Sequence, residues 1–542
     1  MINLKSIFIW LFILFYLELY AQLPIIPCET GFGINTVAGS GRHLTPARTT
    51  VIKVTNLNAS GPGSLDAAVK ANYPRVVVFE VSGTIQVDGR LGIWNPYLTI
   101  AGQTAPSPGI TLRGGTVEIN THDVLIQHIR VRVGDQGGID PSNRDGIQIH
   151  NNGKNVVVDH CSVSWTIDEA GGTWGLENTV IEDVTFNNCI FGEALYESIH
   201  PDGIHSMGLF FGYNTKRASA IRNMFVHINQ RLPMIRDRIT DVVVANNLIY
   251  NYGQWIHCAI DIRDNNGDRS RPLRASVLGN HSIKGTNSVL GKAVVIGAYY
   301  DKNLTSNSQI YTDDNRCYDG VGLPCVLNQA SPTVLVTGPP ISIPGYTPFA
   351  SEDVKNIVLR YAGARPADRD VVDKRYVNDV INGTGSIINS QFDVGGWPKL
   401  AQNTRILNLP INPNGDDDSD GYTNLEEWLH AYNDTVQGIN ICNGLISTNS
   451  IIHLSKSISD ISIYPNPTNG PVFVKSIGAI DGLIVISIYN MLGNMVYQKT
   501  MDGLSLQDSG EMINISSFPS GIYLFSVNGK NVRAVSKKIY KK

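Results

Sequence analysis

The sequence predicts an all-β protein: a parallel β-helix, then a small calcium-loop segment, then a C-terminal β-sandwich. Three observations carry this. Between about residues 75 and 290 an apolar strand repeatedly runs into one or two Asn, Asp or His residues and then a second apolar strand. Helical periodicity is nearly absent over the same stretch, where an amphipathic helix would place apolar residues three and four apart. From residue 459 the texture changes to short alternating strands separated by Gly and Asn.

The repeats are Val156–Ser164, Val184–Phe191, Ala220–His227, Val242–Tyr250 and Ser276–Ile283, preceded by Val76–Val81, Leu98–Ile100 and Val124–Val131. Their spacing varies between roughly 20 and 35 residues, as expected of a constant coil with loops of unequal length. Such a coil buries its inward face only by stacking on its neighbours. Aligning the coils on their polar corner puts Cys161, Cys189, Met224 and Leu248 in one register. They are expected to form one inward ladder at a coil spacing of about 4.8 Å, with the cysteines as buried free thiols.

The remaining elements follow in chain order. Residues 1–21 read as a signal peptide: Lys5, the apolar run Ile7–Leu17, then Ala21 before Gln22. That run is short of the roughly 20 residues a bilayer span needs, and no other stretch is long enough, so the mature form is expected to have no membrane span. Residues 22–405 form the β-helix. Within them Ser351–Ala362 has helical spacing, with Ser351 as the head of a capping box. Residues 406–435 hold an acidic loop and a helix, and 436–458 read as a linker. Residues 459–542 form the sandwich, with strands at Val472–Lys475, Leu483–Tyr489, Met495–Tyr497 and Gly521–Val527.

Composition narrows the class. A chain of 542 residues exceeds one ordinary core. Its 42% apolar and 17% charged residues are globular in balance. The net charge of -4 gives no electrostatic reason for a nucleic acid or anionic membrane partner. An acidic substrate must therefore be met by a local basic patch or by bound metal. Seven cysteines do not make a disulfide scaffold, and Cys317 with Cys325 is the best candidate bridge. No zinc-type Cys/His spacing appears.

The candidate site residues lie near the polar corners and coil ends. Asn143-Arg144-Asp145 opens one coil and Asp168-Glu169 closes the next. Hard oxygen ligands of this kind suit calcium, which accepts six to eight oxygens in irregular geometry. Arg231 and Arg236 bracket Pro233, which stiffens the backbone between them. A guanidinium binds carboxylates through a planar fork, so this pair suits a polymer with one carboxylate per sugar. A second cation loop is written at Asp416, Asp418 and Asp420, with Gly421, Tyr422, Asn424 and Glu427 at the later positions of an EF-hand loop. The turn-like stretch 407–415 precedes it, so it reads as a lone structural calcium loop.

On these residues the sequence resembles the pectate lyase superfamily, polysaccharide lyase family one. The matching words are Asn143–Ile149, Val156–His160, Arg231-x-Pro-x-x-Arg236 and Val243–Tyr250, with the opening Thr55–Val69 similar to bacterial members. The resemblance spans about residues 30–400. It implies a right-handed parallel β-helix and eliminative cleavage of α-1,4-linked polygalacturonate. Arg231 is then the proton-abstracting base, and Arg236 holds the substrate carboxylate. Asp145, Asp168, Glu169 and Asn143 surround the active-site calcium. The sequence departs from the pattern at Asn143, where an acid is usual. A further acid is missing at Gly171, Gly172 and Thr173. A lysine expected in the coil before the arginines is also missing, and His205 or Lys216 is expected to stand in for it at the substrate.

Tyr464–Gly470, Tyr489–Gly493, Gly521–Leu524 and Lys537-Lys538 resemble the C-terminal sorting domain of type IX secretion cargo. That implies the secretion machinery as a partner and a secreted or cell-surface monomer that passes through the periplasm. Two other functions fit parts of the pattern. One is an inverting glycoside hydrolase on the same fold, which needs two suitably spaced carboxylates. The other is a non-catalytic glycan-binding β-helix.

Overall fold

A computed structural model describes residues 22–137, 139–236, 239–253, 259–261, 272–288, 295–296, 307–319, 335–438, 461–476, 483–490, 494–502, 505–506, 510–529 and 532–542. The expected signal peptide lies outside these residues, as does the expected linker beyond Gly438; Val436 and Gln437, expected to open the linker, instead end a helix. The chain divides into two compact units, Met1–Gly444 and Leu445–Lys542.

The first unit is a parallel β-helix of three sheets with ten, eight and nine strands. One coil runs Lys154–Asp159, Ser162–Ser164 and Glu169–Trp174, with one strand in each sheet. The next runs Ile181–Asn187, Ile190–Gly192 and Met207–Phe211. The one after runs Thr215–Ile221, Met224–Val226 and Met234–Arg236. Register is strict: Val124, Val156, Val184, Ala218 and Val242 are successive partners. Valine and isoleucine dominate because a branched side chain packs well on a pleated surface. Stacked Val, Ile and Phe side chains fill the interior. Full burial of each such side chain contributes about 1.5–3 kcal/mol.

The corner between the ten- and nine-stranded sheets explains the recurring polar residues. His160, Asn188, Arg222 and Asn246 each take left-handed backbone, with φ of 47, 52, 55 and 55°. The residue after each forms an internal ladder. Cys189 N donates to Asn223 Oδ1 at 2.9 Å, Asn223 N to Asn247 Oδ1 at 2.9 Å, and Asn247 N to Asn280 Oδ1 at 2.9 Å. Asn223 and Asn247, not Met224 and Leu248, therefore continue the cysteine register. A slip of one residue sends a side chain to the opposite face. Met224 and Leu248 accordingly point outward, into an apolar layer beneath two helices. Cys161 and Cys189 are buried free thiols. Cys28 and Cys317 are each engaged in a disulfide; Cys325, and with it the expected Cys317–Cys325 pairing, lies outside the described residues.

Helix α1 (Leu65–Val69) precedes the early coils. Helices α2 (Ser351–Tyr361) and α3 (Val371–Asn382) cover the nine-stranded sheet through Val354, Val358, Val372, Tyr376 and Val380. Ser351 is not the cap of α2: Ala350 holds that position. The Ser351 hydroxyl instead donates to Asp314 Oδ1 at 2.7 Å, so the nearby coil outcompetes the helix for it. Beneath α3, Arg132 Nη2 lies 2.6 Å from Asp373 Oδ1, and both side chains are fully buried. Helix α4 (Asn424–Gln437) begins with a true capping box, Thr423 with Glu426. It seats Leu425 and Leu429 on Val76, Val78 and Ala101 of the ten-stranded sheet.

The second unit has a three-stranded and a four-stranded antiparallel sheet. Val472, Val474, Ile484, Ile486, Ile488, Phe525 and Val527 close one core between them, as in a sandwich.

Candidate active site

The site lies at the leading edge of the eight-stranded sheet, where four consecutive coils deliver residues at one level. Ile147 pairs with Gly171, which brings Asp145 level with Glu169. Glu169 pairs with Met207, and Met207 bridges Gln230, the neighbour of Arg231. Backbone bonds hold the level: Gly146 N donates to Glu169 O at 2.9 Å, and Glu169 N to the Asp145 carboxylate at 3.1 Å.

Carboxylate oxygens of Asp145, Asp168 and Glu169 lie within 4.8 Å of one another. Burial raises the Asp145 carboxyl well above its usual range and Asp168 raises it further, while Gln148, Arg90 and Arg231 pull it back. Burial also raises Asp168, against Arg231, His205 and His200. Three clustered acids in a half-desolvated edge repel one another, which is the condition a bound cation relieves. The donor set, all carboxylate oxygen, fits calcium. Asn143 is exposed, with its amide oxygen 3.5 Å from Arg90 Nη2.

Arg231 has left-handed backbone, φ 63°, a conformation that costs a non-glycine residue about 1–3 kcal/mol. It reaches back across the Met207 coil to form an ion pair with Glu169. Its guanidinium also lies 5.0 Å from the centre of the Phe210 ring. Arg236 closes the strand Met234–Arg236, in which Ile235 points inward and its two neighbours outward.

His205 stands beside the acids. Its Nε2 is 3.7 Å from Asp168 Oδ1, and its Nδ1 is 2.9 Å from Gly203 O. Lys216 does not join the site: it lies in Thr215–Ile221 of the ten-stranded sheet, 3.0 Å from Glu182. Residue patterns missed His200, whose ring stacks on His205 with centroids 3.4 Å apart and whose Nε2 is 3.6 Å from Asp168 Oδ2. Two histidines closing the short loop His200–His205 were the available signal. They also missed Phe210 and Trp174, because nothing in a strand says which ring will lie under an arginine one coil away.

At the second cation loop, Asp416, Asp418 and Asp420 also bring carboxylate oxygens within 4.8 Å of one another. Gly421 turns there with φ 95°, and its N–H donates to Asp416 Oδ2 at 3.0 Å. The charges of Asp418, Asp420, Asp416 and Asp417 add to desolvation in raising the Glu427 carboxyl, so Glu427 faces the same acids. The Tyr422 hydroxyl donates to Pro24 O at 2.9 Å, and the Asn424 amide donates to Asn412 O at 2.8 Å.

A parallel β-helix with a guanidinium lodged among carboxylates at one sheet edge suits a solenoid lyase. Known proteins agree. A probable pectate lyase C of Aspergillus flavus is 30% identical over 449 residues, covering 77% of this chain and 95% of the relative. One from Aspergillus terreus is 31% identical over 432 residues, covering 76% and 94%. The chain belongs to the pectate lyases. Residues 462–542 match the secretion system C-terminal sorting domain. Among solved structures the major cedar pollen allergen aligns over 61% of this chain and 91% of its own, at 16% identity and a TM-score of 0.43.

Proposed function

We propose that the chain cleaves α-1,4-linked polygalacturonate or a related uronate polymer by β-elimination, with Arg231 as the base. The observation that carries this is the Arg231 guanidinium held against the Asp145, Asp168 and Glu169 carboxylates. Asp145, Asp168 and Glu169, with Asn143 beside them, would hold calcium; bound there, it supplies positive charge that polarises the uronate carboxylate. Arg236 and His205 hold that carboxylate. Arg231 removes the C5 proton alpha to it, the C4–C5 double bond forms as the C4–O4 bond breaks, and the departing O4 takes a proton from water, leaving an unsaturated uronate. An arginine is ordinarily charged, and its pairing with Glu169 favours that form. A cation held by Glu169 would weaken that preference, as the role of base requires of Arg231.

On this reading residues 22–405 are the catalytic unit, and 406–435 a structural calcium loop formed by Asp416, Asp418, Asp420, Tyr422, Asn424 and Glu427. A signal peptide and the 459–542 sorting domain direct export to the medium or cell surface. The test is incubation of the chain with polygalacturonate, with and without calcium, following the ultraviolet absorbance of the unsaturated product. A calcium-dependent rise is expected. New reducing ends without that absorbance would mean hydrolysis, and neither signal would mean binding alone. Arg231→Lys should lower turnover at least about a hundredfold, the usual weight of a proton-transfer group, with an unchanged melting temperature. Undiminished turnover in that variant would overturn the assignment.

A further inference from the structure

We propose that Trp174 and Tyr213 form a sugar-stacking subsite that takes the C–H face of a pyranose ring beyond the one attacked. This rests on the uronate-polymer reading above. Trp174 ends the strand Glu169–Trp174 with its side chain outward, and it remains 41% exposed. Its ring lies 4.3 Å from Tyr213 and 5.6 Å from Phe210, nearly parallel to the latter at 28°. Phe210 is 1% exposed and lies under Arg231. The stack therefore runs from the base through a buried ring to an open one, on one face of the same sheet.

The backbone is shaped for this. A Cβ on Gly212 would come within 2.6 Å of the Phe210 ring, so that ring fills the place of the absent side chain. Gly172 has φ 151°, and a Cβ there would meet Phe210 O at 2.0 Å. The register places Trp174, Gly212 and Arg236 level on successive coils, one residue beyond the pairs Thr173–Phe211 and Phe211–Ile235. Gly175 N donates to Tyr213 O at 2.9 Å, and the Asn214 side chain to Leu176 O at 2.7 Å. These bonds tie the turn after Trp174 to the turn that carries Tyr213.

Chemistry selects the occupant. An aromatic face carries partial negative charge and attracts polarised C–H bonds. A pyranose has such bonds on its faces and hydroxyls at its rim. Trp174 and Tyr213 offer no cation to a carboxylate, so this subsite reads the ring and not its charge. A ring beyond the reacting one is thus bound by shape, and the attacked ring by its carboxylate. Binding energy gained away from the reacting atoms helps to position the scissile bond.

The experiment compares wild type, Trp174→Ala and Trp174→Phe as full chains with calcium and polygalacturonate. It records both product absorbance and quenching of tryptophan emission on titration with the polymer. Trp174→Ala should raise KM on the order of tenfold, and Trp174→Phe should recover most of that. If wild type forms product and Trp174→Ala keeps its KM, the subsite is overturned and the lyase reading stands. If wild type forms no unsaturated product, the lyase reading falls and quenching decides the subsite: quenching lost in Trp174→Ala supports it, while unchanged quenching or none in wild type overturns it.

Discussion

Glu169 is the residue on which the two halves of the site meet. Its carboxylate shares a cluster with Asp145 and Asp168 and also pairs with Arg231. On the proposed mechanism, cation loading and the state of Arg231 would be tied through this one side chain. Glu169→Gln removes one of three negative charges from the cluster while keeping its shape. Because ligand charge sets calcium affinity, we expect a loss of at least about tenfold, measured by calorimetric titration of the full chain with calcium. An unchanged affinity would mean that Glu169 serves Arg231 alone. The meeting of Asp145, Asp168 and Glu169 with Arg231 was legible in the sequence because short local words carry these residues. His200 was not, because its meaning comes from a ring stacked on it and an acid on another coil. Lys216 was misplaced for the same reason: sequence distance to the arginines says nothing about which sheet a residue enters.

At the scale of the coil, the ladder of asparagines does what apolar stacking cannot. Asn247 Oδ1 accepts from Asn223 N, and its amide donates to Ala220 O and to Asn280 Oδ1, each at 2.9 Å. The side-chain amides of Asn223, Asn247 and Asn280 thereby find partners inside the solenoid, away from water. Asn247→Ala would strand the Asn223 N–H and the Ala220 carbonyl together. Each buried unsatisfied group costs about 1–3 kcal/mol. The variant should therefore unfold at clearly lower denaturant than wild type, and an unchanged midpoint would show that the ladder is dispensable. The coil itself was readable from its apolar repeats. Its register was not: counting Met224 as the partner of Cys189 is a one-residue slip, since both Arg222 and Asn223 can pass for the polar corner. Only the left-handed φ at Arg222 separates them.

At the scale of the whole first unit, the solenoid is wrapped by straps whose attachment points are two buried histidines and a half-buried one. His281 Nδ1 lies 2.9 Å from Ser351 O at the head of α2. His128 Nδ1 lies 2.6 Å from Ala364 O beyond the end of α2. His430 Nε2, on α4, lies 3.2 Å from Ile25 O of the N-terminal segment. None of these anchors shows in the sequence, because a histidine signals nothing until its carbonyl partner is known. Burial lowers all three: His281 and His430 to about 4 and His128 to about 3, from 6.5. The folded state thus holds them neutral where the unfolded chain would protonate them. Stability from this source is present above pH 6.5 and is lost as pH falls from 6.5 toward about 4. Raised carboxyls such as Asp145 act in the opposite sense over part of the same range, so the raw acid profile of the protein is a mixture. A comparison removes the mixture. His281→Gln titrates like wild type at every other group, so the gap between their unfolding free energies reports His281 alone. At neutral pH the variant should be the less stable, having lost a fitted buried ring. The gap should close by roughly 3 kcal/mol as pH falls through that window, the linkage expected of a shift from 6.5 to about 4. A gap that does not change with pH would mean that the ring at the head of α2 is already charged or open to water, and that the strap is fastened by some other contact.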